Sequence, residues 1–220
     1  MTEKRIAIFV PLYDVQGKKD ATRVFQPEAQ RFEQFTGRNG LQPEIGVINN
    51  KMPQSKMTDA VLTLIQGFKP LSAVAFFCHG TSRKIQLGFD LNNVSKLANA
   101  IAEDNNTDIK VILYCCLTGS GTGTGGDGGF ADKLRDCLCC SGATSCRVVA
   151  HTTAGHATRN PFVRFFEGMG SKTGGTGGYY PVEPKSKLWQ AWIKKLKEDS
   201  EFRFKFPFMA IEDIHSELMQ

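Results

Sequence analysis

The chain has 220 residues, 41% of them apolar, and 27 basic against 22 acidic side chains give a formal charge of +5. This suits one large domain or two very small ones, with one compact domain expected. The basic residues are scattered and the dense stretches, Lys18-Lys19 and Lys194-Lys195-Leu196-Lys197, are short, so nucleic acid is not an expected partner. In chain order, apolar and β-branched runs at 5–11, 44–48, 73–77, 110–114 and 147–150 predict strands, each apolar enough to be covered on both faces. The segment 21–35 puts Val24, Phe25, Ala29, Phe32 and Phe35 on one helical face, with Gly37 as the expected stop, and 57–68, 94–102 and 130–138 repeat the pattern. Glycine-dense stretches at 119–129 and 174–178 read as mobile loops. Beyond Pro184, a helix at 187–197 carries both tryptophans, and the alternating segment 202–208 predicts an edge strand or a wrap over the core.

Strands alternating with helices predict an α/β domain on a mainly parallel sheet across 1–220, with 184–220 as an extension packed on it. No apolar run reaches the roughly 18 residues of a membrane span, and Met1-Thr2-Glu3-Lys4-Arg5 leads straight into a strand, so a soluble, cytoplasmic protein with no membrane partner is expected. Seven cysteines are an odd count, and Cys115 and Cys116 are adjacent at a strand end, so reduced thiols are expected rather than a disulfide framework.

In parallel α/β sheets, catalytic groups collect beyond the carboxyl ends of the strands. Two such ends carry chemistry: Phe77-Cys78-His79-Gly80, and Tyr114-Cys115-Cys116-Leu117-Thr118-Gly119. A thiol needs a base to become a nucleophile near neutral pH, and adjacent strand ends can hold an imidazole and a sulfur within reach of each other. The backbone N–H groups of Gly80 and Cys116 are candidate oxyanion donors.

At these residues the chain resembles the caspase-like cysteine peptidases of clan CD, which include legumain, gingipain, clostripain and separase, and is most similar to the CHAT domains among them. Those domains carry a strand ending His-Gly, a strand ending Ala-Cys-x-Thr-Gly, a loop with Gly-Glu-Gly, a helix and a further strand. The counterparts here are His79-Gly80, Cys115-Cys116-Leu117-Thr118-Gly119, Gly126-Asp127-Gly128, the helix at 130–138 and the strand at 146–150. The resemblance covers about a third of the chain, from Ala73 to Ala150. It implies a caspase-like three-layer sandwich and an endopeptidase acting on protein or peptide substrates through a thioester, with His79 as base and Cys116 rather than Cys115 as nucleophile. It further implies a substrate pocket drawing on Asp14, His151, Thr152, His156 and Arg159. An acid such as Asp14 or Asp127 in that pocket would favour a basic residue before the cut, and Arg159 an acidic one. No metal or organic cofactor is required for this chemistry. Relatives are often activated by partners, or regulated by calcium, for which Asp127, Asp132 and Asp136 are the candidate acids.

Other readings compete at single motifs. Gly121-Thr122-Gly123-Thr124-Gly125-Gly126 formally fits a dinucleotide pattern, and Cys137, Cys139, Cys140 and Cys146 with His151 offer zinc ligands at no common spacing. The loop 170–180, with Lys172 inside it, is a candidate activation cleavage site. A noncatalytic interaction domain on the same fold, or a thiol acyltransferase or transpeptidase using the same two residues, stands as the alternative function.

Overall fold

The computed structural model describes residues 4–15, 18–19, 24–103, 108–168 and 177–220, with backbone alone for Asp14, Val15, Lys18 and Lys19. The chain forms β1 (Arg5–Pro11), the short pair β2 (Tyr13–Val15) and β3 (Lys18–Lys19), α1 (Phe25–Arg38), β4 (Gln42–Ile48), α2 (Gln54–Phe68) and β5 (Leu71–Phe77). Then come the small hairpin β6 (Gly80–Thr81) and β7 (Lys84–Ile85), α3 (Val94–Ala102), β8 (Lys110–Tyr114), α4 (Phe130–Cys140), β9 (Arg147–His151) and β10 (Val163–Glu167). The helices α5 (Trp189–Glu198), α6 (Phe202–Lys205) and α7 (Ile211–Leu218) end it.

The central sheet has six strands in the order β10-β9-β8-β5-β1-β4. Every neighbouring pair is parallel except β9 with β10. From β1 the chain steps one way to β4 and then builds in the other direction through β5, β8 and β9. Right-handed crossovers place helices on opposite faces when the direction of travel reverses. Accordingly α1 packs on one face through Phe25, Ala29, Phe32 and Phe35. The other face is covered by α2, α3 and α4 through Val61, Ile65, Leu97, Ile101, Leu134 and Leu138. Strand side chains alternate between the two cores: Phe76, Cys78, Leu113 and Cys115 face α2–α4, whereas Phe77, Ile112 and Tyr114 face α1. The layers are thus helix, sheet, helix.

Several boundaries differ from the sequence expectation for physical reasons. The strand β4 is not covered on both faces: it is the sheet edge, five of its seven residues are exposed or partly so, and Val47 is 52% exposed. The helix α1 runs through Gly37 to Arg38, and the turn comes at Gly40, whose φ of 77° suits glycine. The segment 202–208 is the short helix α6 followed by a 3₁₀ turn, not a strand. Asp199 Oδ1 accepts the N–H groups of Glu201 and Phe202, each at 2.9 Å, and so starts that helix. Phe202, Phe204 and Phe206 are all buried on the α1 side, where Trp192 packs edge-on to Phe202 and Phe206. The antiparallel strand β10 is an element that periodicity did not reveal.

The loop at 119–129 is tightly packed. A Cβ on Gly121 would lie 2.3 Å from the Asp127 carbonyl oxygen and one on Gly129 2.1 Å from that of Ser120, so these positions admit glycine alone. Gly178 N–H donates to Gly125 O at 2.8 Å, tying this loop to the segment entering from the second glycine-rich stretch. Of the candidate cleavage loop at 170–180, residues 170–176 lie outside the described residues.

Candidate active site

The register of the sheet sets the two chemical strand ends against each other. β5 and β8 are parallel neighbours with Phe77 opposite Tyr114. His79 and Cys116 each lie two positions beyond that pair, just past the ends of adjacent strands, which are spaced about 5 Å apart. Period-two alternation sends both toward the α1 side, together with the stacked rings of Phe77 and Tyr114, 4.4 Å apart. Both residues are half-buried and line one cleft of about 130 Å³. The Phe25 ring of α1 meets the His79 imidazole edge-on at 4.9 Å and 89°. The Cys116 thiol points to Gly155 O at 3.7 Å.

Cys115 is a different kind of thiol. It is buried on the opposite face, 3.4 Å from the sulfur of Cys78 and 3.4 Å from Phe76 O. Burial pushes its pKa well up, and the contact with Cys78 adds to the rise, so it stays protonated.

Gly80 packs where no side chain fits: a Cβ there would lie 2.7 Å from Thr118 Cγ2 and 2.9 Å from both Cys115 Cβ and Cys116 O. Because Gln86 N–H donates to His79 O at 2.9 Å, Gly80 occupies the non-hydrogen-bonded position opposite Ile85. Its own N–H therefore turns away from β7. The Gln86 amide oxygen accepts from His79 N at 3.2 Å, and its Nε2 reaches Tyr13 O, which ties the His79 loop to the segment after β1. Leu117 directly follows Cys116 with φ of 62°, a left-handed conformation that costs a non-glycine residue about 1–2 kcal/mol. No sequence signal marked this strain.

Among the residues expected around the substrate, His151 and His156 line the cleft, with Val24, Phe25, Tyr114 and Ala157 forming its apolar walls. His151 is 4% exposed and its Nε2 pairs with Ala157 O at 2.7 Å. Burial pushes its pKa down to about 4, so the imidazole is neutral, Nε2 carries the proton, and the unpartnered Nδ1 is an acceptor. Burial also lowers the pKa of His156. Thr152, one residue on from His151, turns the other way and bonds Phe162 O and the Tyr180 hydroxyl. Arg159 lines a separate cavity behind α1. Only the backbone of Asp14 is described, in β2.

Two of the three candidate calcium acids and two of the candidate zinc thiols are engaged by neighbours. Asp132 and Asp136 both pair with the buried Arg135, at 2.5 and 2.8 Å, and Asp132 also accepts the Gly128 N–H. Cys139 and Cys146 touch at 3.4 Å, but His151 lies at the far end of β9 from Cys146 and Cys140 is exposed, so the five do not converge. Among the described residues, no group of three or more His, Cys, Asp or Glu side chains is arranged to hold a metal ion. Nor is any helix long and apolar enough to cross a membrane.

A second, larger cleft of about 470 Å³ opens on the other side of His79. His79 lines both clefts, Gly80 only the larger one, of which Met57, Ile85 and Phe89 form the floor.

The fold and site together define an α/β protein with a half-buried thiol and an imidazole at the carboxyl edge of a mainly parallel sheet. No protein-family model matches the chain, and a search of curated proteins returns no relative.

Proposed function

We propose that this protein is a caspase-like cysteine endopeptidase in which His79 serves Cys116. The observation that carries the reading is the register of β5 and β8, which sets imidazole and thiol at adjacent strand ends in one cleft. His79 takes or steers the thiol proton, and the Cys116 sulfur attacks the peptide carbonyl. The oxyanion is held by backbone N–H groups, among them that of Gly80, and the amine departs with a proton returned by His79. Water then hydrolyses the thioester. The edge-on Phe25 ring and the Gln86 bridge hold His79 in place for both proton transfers.

The two clefts divide the substrate. The acyl half stays bonded to Cys116, so the small cleft that Cys116 lines receives the side chain before the cut. Its apolar walls and the neutral His151 imidazole favour an uncharged side chain over the basic or acidic ones that Asp14 or Arg159 would select. The leaving half departs on the His79 side, into the larger cleft floored by Met57, Ile85 and Phe89.

The test is cleavage of fluorogenic peptides carrying Leu, Met, Asn, Arg, Lys or Asp before the scissile bond. Cys116→Ala is expected to lower kcat/KM by at least about a thousandfold, and Cys115→Ala to leave it within a few-fold. Equal loss in the two variants, or turnover that survives Cys116→Ala, would sink the assignment.

A further inference from the structure

A cavity of about 370 Å³ lies between α1, the segment after His156 and the start of α6. Four guanidinium groups line it: Arg31, Arg38, Arg159 and Arg203. Their carboxylate partners are too few. Arg31 and Arg203 both turn to Glu28, at 2.6 and 3.7 Å, and Arg38 reaches Glu201 at 3.5 Å. Glu28 is itself held by the Thr158 hydroxyl at 2.7 Å. Arg159 makes no ion pair among the described residues.

The arrangement is costly as it stands. The Arg203 side chain is only 4% exposed, and its Nε is buried with no hydrogen-bond partner. A buried N–H of a cationic group without an acceptor forfeits a charge-assisted hydrogen bond, and like charges gathered around one space repel. Burial and the neighbouring Arg159 and Arg31 all act to lower the Arg203 pKa, against the pull of Glu28. Guanidinium groups present paired donors that match phosphate oxygens, and two carboxylates cannot saturate four of them.

We propose that this cavity is a binding site for a small multivalent anion of the phosphate class, seated between Arg38, Arg159 and Arg203. One such anion supplies the charge and the acceptor oxygens that the site lacks. It is distinct from the cleft of His79 and Cys116, and it stands whether or not the peptidase reading holds.

The test uses inorganic pyrophosphate as probe, with orthophosphate and sulfate beside it, at constant ionic strength. Titration calorimetry of the full chain is expected to show one pyrophosphate per protein, bound at least tenfold more tightly than orthophosphate or sulfate. The exposed substitutions Arg159→Gln and Arg38→Gln, which leave the core intact, are each expected to weaken binding about tenfold. Lys84→Gln, on β7 and outside the cavity, leaves it unchanged. Absence of binding by the wild type, or equal affinities in wild type and Arg159→Gln, overturns the proposal. Arg203→Lys reports on the buried group: it keeps the charge but removes the fork, and unaltered affinity in a variant with native circular dichroism would count against a seat at Arg203.

Discussion

At the scale of single residues, His151 is the clearest case of an environment overruling an ordinary side chain. In the folded protein its imidazole titrates near 4, while in the unfolded chain it titrates near 6.5. Between those values the unfolded state binds more protons, so stability rises with pH through this window and is lost as pH falls through it. The shift corresponds to about 3 kcal/mol. His151→Gln keeps a donor for Ala157 O but cannot titrate, and urea denaturation between pH 4 and 7 is expected to show a flatter pH dependence; an unchanged slope would reject the assignment. Sequence could nominate His151 as a polar residue at a strand end, but not its burial, which comes from Tyr114, Ala157 and the return of the chain into β10. Likewise, the position of Cys116 after an apolar run was legible, whereas the left-handed backbone at Leu117 was not, since leucine carries no sign of it.

At the scale of elements, legibility followed periodicity. The helix expected at 94–102 is α3 to the residue, and α2 and α4 differ from their expected spans by a few residues at the ends, because a continuous apolar stripe meets a continuous sheet face. The segment 202–208 suggested a strand because phenylalanine at every second position satisfies one, while a four-residue helix and a 3₁₀ turn wrap the core instead, with Phe202 and Phe206 against Trp192 and Phe204 against Phe32 and Phe35. The deciding signal was Asp199, a capping residue just ahead of the run. Asp199→Ala removes the acceptor for two backbone N–H groups and the ion pair with Lys195, and is expected to cost about 1–2 kcal/mol in urea denaturation. Asp199→Asn, which keeps the acceptor oxygen, is expected to lose less than half of that. The strand β10 escaped notice because Arg164 and Glu167 interrupt its apolar character, and its place is fixed by pairing with β9 rather than by its own pattern.

For the whole molecule, the reversal of direction after β4 puts α1 on one face, where the last helices join it, and three consecutive helices, α2 to α4, on the other, and the carboxyl edge of the sheet inherits this asymmetry. The small cleft belongs to the α1 face and the large one to the α2–α3 face, and they meet at His79. Internally quenched peptides that share the residues before the cut are therefore expected to be cleaved about tenfold better with Leu or Phe just after it than with Asp, at similar kcat and lower KM. Indifference to that residue, in an enzyme that still cleaves small chromogenic amides, would remove the leaving-side role of the large cleft and leave the catalytic pair untouched. None of this division could be read in the sequence, because it depends on which face each crossover takes.

The covering of the α1 face has a consequence in time. A ribosome delivers β1 through β9 first, so both strand ends that carry His79 and Cys116 are made while the sheet still lacks Trp192, Phe202 and Phe206 on one side. The rest of that apolar face is filled only when α5 and α6 emerge. A nascent chain therefore holds Cys116 in an unfinished frame until α5 and α6 have followed it, and the order of translation itself delays the moment at which the surroundings of that sulfur are settled.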